Sequence, residues 1–117
     1  MEQIFPLIRL QKAKSHSTLA LIYSKQQPQQ DEKCNELRLK ALEISEQLIS
    51  NGEKIEGIGD VFEHIGELYM NQSNPQRARK YYKKALGYTK KDMVDDHPEI
   101  RRIQKIIDGL PTSRTTD

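Results

Sequence analysis

Residues 59–92 read GDVFEHIGELYMNQSNPQRARKYYKKALGYTKKD, and this stretch decides the fold. Small residues stand at positions 66, 78 and 85, and tyrosines stand at 69 and 82. Small side chains let two helices approach closely, and the aromatic rings fill the space beside the contact. Asn74-Pro75 separates the two helices, because asparagine is a favoured N-cap and proline a favoured first helical residue. The stretch therefore predicts a helix–turn–helix unit of 34 residues.

The first helix of this unit is expected from about Lys54 to Asn71, and the second from Pro75 to about Lys90. Gly57 and Gly59 weaken the start of the first helix by about 1 kcal/mol each relative to alanine, which moves its expected onset toward Gly59. Its inward residues are Ile55, Ile58, Phe62, Ile65, Leu68 and Tyr69. The inward residues of the second helix are Ala78, Tyr81, Tyr82, Ala85 and Leu86.

Apolar residues at helical spacing predict two helices before this unit and one after it. The first begins near Pro6 and ends in the polar turn 26–30, with an expected inward face of Ile8, Lys12, Leu19, Ile22 and Tyr23. The second spans Asp31 to Ser50, stops at Asn51-Gly52, and has the stripe Cys34, Leu37, Ala41, Ile44 and Leu48. The last follows the turn Asp95-Asp96-His97, runs from Pro98 to Asp108, and carries Ile100, Ile103, Ile106 and Ile107. No segment shows strand alternation, so the predicted fold class is all-α.

Composition limits both the size of the core and the class of partner. The chain has 117 residues, of which 35% are hydrophobic and 31% charged, which fits a thin core shared between stacked helix pairs. A net charge of +2 does not by itself indicate nucleic-acid or membrane binding. The single cysteine, Cys34, excludes an intrachain disulfide and fits a reducing, cytoplasmic location. The apolar segment 4–10 is too short to cross a membrane.

The 59–92 unit resembles a tetratricopeptide repeat at Phe62, Ile65, Gly66, Tyr69, Ala78, Tyr82 and Ala85. Residues 13–48 resemble a degenerate copy, with Ala20 in place of the glycine, then Tyr23, Cys34 and Ala41. The phrase Ala41-Leu42 recurs as Ala85-Leu86, so the period is 44 residues. Together with the later Asp96-His97-Pro98, this spacing is similar to the kinesin-light-chain-like subgroup. The coiled-coil heptads of true kinesin light chains are missing, so no motor function is implied.

The resemblance implies an α-solenoid of two repeats and a capping helix. The expected segments are an N-terminal cap at 1–12, repeats at 13–50 and 54–92, a capping helix at 97–109 that begins a truncated third repeat, and a frayed tail at 110–117. Such a unit does no chemistry and offers a concave surface to other proteins. We therefore expect a protein-interaction module, an adaptor or scaffold, that is not an enzyme and uses no cofactor.

In such repeats the first helix of each pair lines the concave groove. The expected groove residues are Lys14, Ser17, Leu21, Ser24, Lys25, Asp60, Glu63, Glu67, Met70, Asn71, Arg102 and Lys105. The middle of this groove is acidic and its flanks are basic, which suits a partner peptide with basic side chains. The alternative interpretation is that these residues form solvated helix faces.

Two other interpretations stay open. The run Arg77, Arg79, Lys80, Lys83, Lys84, Lys90 and Lys91, interleaved with tyrosines, is similar to a nucleic-acid surface. A solvated convex face is the favoured interpretation of this run, because acidic residues at 92–99 offset its positive charge. Uncapped repeat ends also allow a homo-oligomer. Catalytic and metal sites are not expected, because His16, His64 and His97 are isolated and Cys34 occupies a core position.

Overall fold

The computed structural model describes residues 4–26, 31–52, 55–94 and 96–111. Within these ranges the chain is all-α and has no strand. The helices are α1 (Ile4–Ser24), α2 (Asp31–Ser50), α3 (Ile58–Asn71), α4 (Pro75–Asp92) and α5 (Pro98–Gly109). The molecule measures 46 × 35 × 24 Å, and its thinnest dimension corresponds to two layers of helices.

Side-chain contacts give the relative direction of the helices. Phe62 stacks on Tyr88 and Tyr69 stacks on Tyr81, so α3 and α4 are antiparallel. Arg38 lies over the Tyr69 ring, and Gln72 near the end of α3 donates to the Cys34 sulfur near the start of α2. The helices α2 and α3 are therefore antiparallel too.

The contacts between α1 and α3 advance in the same direction along both helices. Ser17 contacts His64, and seven residues later Ser24 contacts Asn71. The two helices are therefore parallel, and the chain forms two antiparallel hairpins whose first helices lie side by side. The last helix, α5, packs on α4.

Several predicted helix ends are confirmed. The bounds of α2 are those expected, and the glycine after it, Gly52, has a φ of 75°. Asn74 caps α4 by accepting a hydrogen bond from the Arg77 amide at 3.2 Å. At α5 the cap is His97, whose Nδ1 accepts from the Glu99 amide at 3.1 Å. Asp95, the turn 27–30, the onset at Lys54 and residues 112–117 lie outside the described residues. The predicted tail begins too early, because Leu110 caps the end of α5 and is buried in the core.

The helix α3 begins at Ile58, later than its apolar pattern alone suggests. Gly57 has a φ of 93°, a left-handed conformation that a side chain rarely adopts. Its amide donates to Asp92 Oδ2 at 3.0 Å, which ties the start of α3 to the end of α4. A β-carbon on Gly57 would lie 2.8 Å from Lys14 Nζ, but the flexible lysine side chain can move aside, so the left-handed φ is what requires glycine here.

The predicted core stripes of α2, α3, α4 and α5 are confirmed. The fully buried large residues include Phe62, Leu48, Ile65, Leu68 and Ile103. The small residues at the helix contacts, Ala20, Cys34, Ala41, Ala78 and Ala85, are completely buried. Gly66 lies against the Tyr82 ring, and a β-carbon there would come within 3.0 Å of it. This close approach is the packing that the small-and-aromatic pattern predicts.

The predicted inward face of α1 is wrong. Ile8, Lys12, Leu19 and Ile22 are exposed, and Tyr23 is half-buried. The buried face is instead Leu10, Ala13, Ser17, Ala20 and Ser24. Apart from Leu10, these side chains are small, so α1 can approach α2 and α3 closely along residues 13–24, where its larger residues do not fit.

The predicted N-terminal cap at 1–12 is not a separate element over its described part. Residues 4–12 are the first turns of a continuous α1. Leu10 is 4% exposed and belongs to the core, while Arg9 donates a hydrogen bond to Gln47 of α2. This part of the segment therefore belongs to the first hairpin.

Candidate functional site

The seam between α1 and α3 is polar along its whole length. Lys14 Nζ lies 3.3 Å from Asp60 Oδ2 at one end, and Lys25 Nζ lies 3.4 Å from Glu67 Oε2 at the other. Between these ion pairs, Ser17 Oγ lies 3.0 Å from His64 Nδ1. The Asn71 amide group donates to Ser24 Oγ at 2.9 Å. The two parallel helices are thus joined by a ladder of four polar contacts.

The fifth helix joins the same surface through Arg102. Its guanidinium binds Glu63 of α3 in a bidentate pair, with N–O distances of 2.6 and 2.9 Å. It also donates to Glu99 at 2.6 Å. The hydrogen bonds to Glu63 and then Glu99 raise the pKa of Arg102, and the bond from Arg102 lowers the pKa of Glu99. Bidentate pairs are among the stronger charged hydrogen bonds, so this one fixes α5 against α3.

Most residues of the predicted groove lie together in the structure, but their charges are paired. The acidic row is present, yet Asp60, Glu63 and Glu67 each face a cation from a neighbouring helix. The surface is therefore close to neutral instead of acidic. Lys105 is exposed on α5. Met70, at 37% exposure, and the half-buried Leu21 are the apolar residues of this surface.

The expectation that Ser17 and Ser24 are open groove residues is wrong. Their exposures are 0% and 1%, because α1 lies directly on its neighbours along this edge. Ser17 donates to the Lys14 carbonyl at 2.9 Å, and Ser24 donates to the Leu21 carbonyl at 2.6 Å. Both serines therefore hold the seam and cannot reach a partner.

A second charged surface lies along the joint of the two hairpins, where cations cover aromatic rings. The rings form a row, with centroid distances of 5.6 Å for Tyr69–Tyr81, 6.4 Å for Tyr81–Phe62 and 5.5 Å for Phe62–Tyr88. Cations 4.9 to 5.9 Å from the ring centroids are Arg38, Arg77, Lys80, Lys84 and Lys91. We call these rings and cations the cation–aromatic row. Sequence reasoning found its α4 members but missed Arg38 of α2, because only the fold brings it there.

The cation–aromatic row has few ring faces available to a ligand. Phe62 is 1% exposed and Tyr69 is 4% exposed, while Tyr81 and Tyr88 are half-buried. The lysines already lie over the outer rings. The row can offer positive charge, but it cannot offer the open aromatic platforms on which nucleobases stack.

A cleft of about 720 Å³ opens where the hairpins meet, and the sequence contained no sign of it. Its apolar lining is Ile49, Ile55, Ile58 and Tyr88, and its charged rim is Glu56, Lys91 and Asp92. Asp92 is already engaged by the Gly57 amide. The described lining of the cleft brings no nucleophile and base together.

The residues considered for chemistry stay apart. Cys34 is fully buried, and His97 caps α5. Burial, followed by the charges of Lys40 and Lys12, lowers the pKa of His16. Within the described ranges, no group of three or more His, Cys, Asp or Glu side chains is arranged to hold a metal. No helix in the same ranges has the length and apolarity required to cross a bilayer.

The largest error of the sequence interpretation reveals a further surface. Ile8, Leu19 and Ile22, which belong to the predicted inward face, are between 45% and 54% exposed on α1, and Phe5 on the same side is 66% exposed. The spacing was correctly recognised as a helical face, but the face points away from α3. The signal that identifies the true inner face is the run of small residues at 13, 17, 20 and 24.

A scan against models of protein families, a search of curated proteins and a search of solved structures each found no significant match. The resemblance to tetratricopeptide repeats is therefore an expectation from the residues of this chain alone.

Proposed function

We propose that this chain is a protein-interaction module of the tetratricopeptide-like type, kinesin-light-chain-like in its repeat spacing. The observation that carries the proposal is the parallel pair α1 and α3, each the first helix of an antiparallel hairpin. Stacked hairpins of this kind present their first helices on one continuous surface. Here that surface carries α1, α3 and the Arg102 side chain of α5, and we call it the three-helix surface.

The three-helix surface has the features of a weak peptide-binding site. Met70 and Leu21 supply apolar contacts, and the ion pairs beside them supply charges that a partner can exchange. Lys25 and Glu67 are 58% and 44% exposed, and such a surface pair contributes only about 0.2–1 kcal/mol. A basic side chain of a partner can therefore replace Lys25 at Glu67 with little loss of folding stability.

The Arg102 pair plays a different part in the proposal. Glu63 is only 18% exposed and is held by two hydrogen bonds, so a partner cannot displace Arg102 as readily as Lys25. We expect Glu63 to keep α5 in place as a cap, while Glu67 and Met70 meet the partner. The proposed module is cytoplasmic, uses no cofactor and is not an enzyme.

The test is a pull-down from cytosol with the double variant Met70→Glu/Glu67→Lys. Both residues lie on the three-helix surface, and neither is part of the buried core. A protein retained by the wild type should be lost with this variant. Circular dichroism and thermal unfolding check that the variant is folded.

The matched control is Leu39→Glu/Glu43→Lys on the outer face of α2, where both residues are exposed. It changes the same number of charges and removes one apolar side chain, so it should retain the partner. Equal retention by both double variants would exclude the three-helix surface as the binding site.

The second candidate function is binding of RNA through the cation–aromatic row, which is favoured by the clustering of five cations there. The test is fluorescence anisotropy with a single-stranded RNA over a range of salt concentrations. The variant Lys80→Glu/Lys84→Glu, which reverses two charges of the row, should abolish binding and its salt dependence if phosphates contact this face. Binding unchanged by that variant would reject this candidate.

A further inference from the structure

Six residues of α1 form a stripe on the side of the helix that no described element covers. They are Phe5, Ile8, Lys12, Ser15, Leu19 and Ile22, and all are exposed. Their spacing along the chain alternates three and four residues, which is the heptad pattern of a helix–helix seam. We call this set the α1 stripe.

The α1 stripe is symmetric about its own centre. Its residue numbers pair as 5 with 22, 8 with 19, and 12 with 15, and each pair has the same sum. In an antiparallel copy of α1, Phe5 therefore faces Ile22, and Ile8 faces Leu19. The polar centre also finds a match, because Lys12 faces Ser15 of the other copy. A second, reversed α1 therefore matches the stripe at each position, with apolar residues at both ends and polar residues in the middle.

The opposite end of the molecule does not offer a complementary surface. The exposed residues of α5 include Arg101, Lys105 and Asp108, which are charged, while its isoleucines at 100, 103 and 107 are buried. Head-to-tail stacking would place the apolar α1 stripe on these charges. An isologous contact, in which the same patch serves both copies, avoids that mismatch.

We propose that the chain forms an antiparallel homodimer through the α1 stripe. The exposures of Phe5, Ile8, Leu19 and Ile22 are 66%, 54%, 45% and 48%, so each copy has apolar surface to bury. Helix α1 is already held by α2 and α3, so the dimer orders no new helix. The stripe is about 27 Å long, which places the interface at the low end of specific contacts. The dimer is therefore weak, with a dissociation constant in the micromolar range.

Lys12 sets the relative orientation of the two α1 helices and limits the affinity of the dimer. In the antiparallel pair the two Lys12 side chains lie about 4.5 Å apart along the axis, on either side of the symmetry centre. A polar residue at such a position specifies register and orientation at a cost in stability. Replacing it with leucine should strengthen the dimer about tenfold.

The first experiment is sedimentation equilibrium over about a hundredfold concentration range around the micromolar level. The wild-type mass should rise from 13.6 kDa toward twice that value. The variant Ile8→Glu/Leu19→Glu should stay monomeric. The control Leu39→Glu/Val94→Glu changes two exposed apolar residues away from the stripe and should dimerise like the wild type. A wild type that stays monomeric, or a dimer that survives Ile8→Glu/Leu19→Glu, would overturn the proposal.

Cysteine cross-linking tests the orientation. The antiparallel pair brings residue 8 next to residue 19 of the other copy and holds the two residues 8 about 16 Å apart. The double variant Ile8→Cys/Leu19→Cys should form a covalent dimer on oxidation, and Ile8→Cys alone should not. The native Cys34 is fully buried and gives no background. Dimer from Ile8→Cys alone indicates a parallel pair and contradicts the symmetry argument.

The homodimer does not depend on the proposed peptide-binding function, since the α1 stripe and the three-helix surface lie on different sides of α1. Met70→Glu/Glu67→Lys should leave the mass unchanged, and Ile8→Glu/Leu19→Glu should leave partner retention unchanged. Co-sedimentation with anionic lipid vesicles tests the remaining alternative, which is that the α1 stripe binds a membrane. Binding of a monomer to vesicles, lost in Ile8→Glu/Leu19→Glu, would show that the stripe meets a membrane and would overturn the dimer.

Discussion

The two hairpins use opposite means of packing. The first hairpin buries small side chains, such as Ala13, Ala20 and Ala41, and leaves large apolar residues outside. The second buries Phe62 and Tyr69 and stacks them with rings from α4. Of the described large hydrophobic residues that are exposed, most belong to the first hairpin: Phe5, Leu7, Ile8, Leu19, Ile22 and Leu39. The second hairpin therefore supplies the large aromatic side chains of the core, and we expect the first hairpin to depend on it for stability.

The largest difference is expected at equivalent positions of the two first helices. Phe62 and His16 each stand four residues before the small residue of their hairpin, Gly66 or Ala20. Phe62→Ala should lower the free energy of unfolding by about 3–5 kcal/mol, because a fully buried ring is lost. His16→Ala should have a much smaller effect, since His16 is half-buried and its Nδ1 has no hydrogen-bond partner among the residues that the structure describes. Urea unfolding measures both free-energy changes. Similar losses for the two variants would show that the two hairpins contribute equally to stability.

A smaller contrast is expected at the small residues themselves. A β-carbon on Gly66 would lie within 3.0–3.1 Å of three Tyr82 ring atoms, and valine adds two methyl groups there. Gly66→Val should therefore cost about 1–3 kcal/mol through overpacking. Ala20→Gly should cost about 1 kcal/mol through helix propensity. Thermal unfolding compares the two, and a neutral Gly66→Val would mean that α3 and α4 are less closely packed than described.

Within α5, the pair between Glu99 and Arg102, which helps to orient Arg102 toward Glu63 of the second hairpin, is sensitive to acid. The pKa of Glu99 is lowered in the folded state, so the unfolded chain takes up its proton first as the pH falls below the ordinary value of 4.5. Its stabilising contribution is present above that pH and is lost as the pH falls through the lower, folded-state pKa. Arg102→Gln should remove this dependence and cost roughly 0.5–1 kcal/mol at neutral pH.

Hydrogen exchange of the α5 amides measures that effect. The control is Arg101→Gln, because Arg101 makes a single, exposed contact of 3.6 Å with Asp96. The control should keep both the α5 protection and its acid sensitivity. Loss of protection in both variants would mean that charge in general, and not the bidentate pair, holds α5.

The smallest effect is expected in the first hairpin at Ser45. Its side chain is 0% exposed, and its hydroxyl has no hydrogen-bond partner within the described residues. Removing a buried, unpaired polar group is neutral or stabilising, so Ser45→Ala should raise the unfolding free energy by roughly 0–1 kcal/mol. Thr89 of the second hairpin is 8% exposed and is the comparison site for the same substitution. A clear loss of stability in Ser45→Ala would indicate a hydrogen bond that the account lacks.

The contrast between the hairpins also explains what could be read from the sequence. Large apolar residues at helical spacing identify the inner faces of α2 to α5, and Asn74-Pro75 locates a helix start. In α1 the same rule selects the outer face, because the inner face is made of alanine and serine. The ion pairs of Lys14 and Arg102 depend on the register between helices, which no local pattern contains. The sequence therefore placed these charged residues near one another, but it did not predict that their charges are paired or that Ser17 and Ser24 are buried.

The central claim is that the second hairpin stabilises the first, and native-state hydrogen exchange resolved by residue tests it most directly. Protein concentration is kept below the range of dimer formation. The account predicts that the amides of Ile65 and Leu68 in α3 exchange only through global unfolding. The amides of Ala41 and Leu48 in α2 should exchange through a less costly, partial opening. Equal free energies of exchange in α2 and α3, at the global value, would contradict the account.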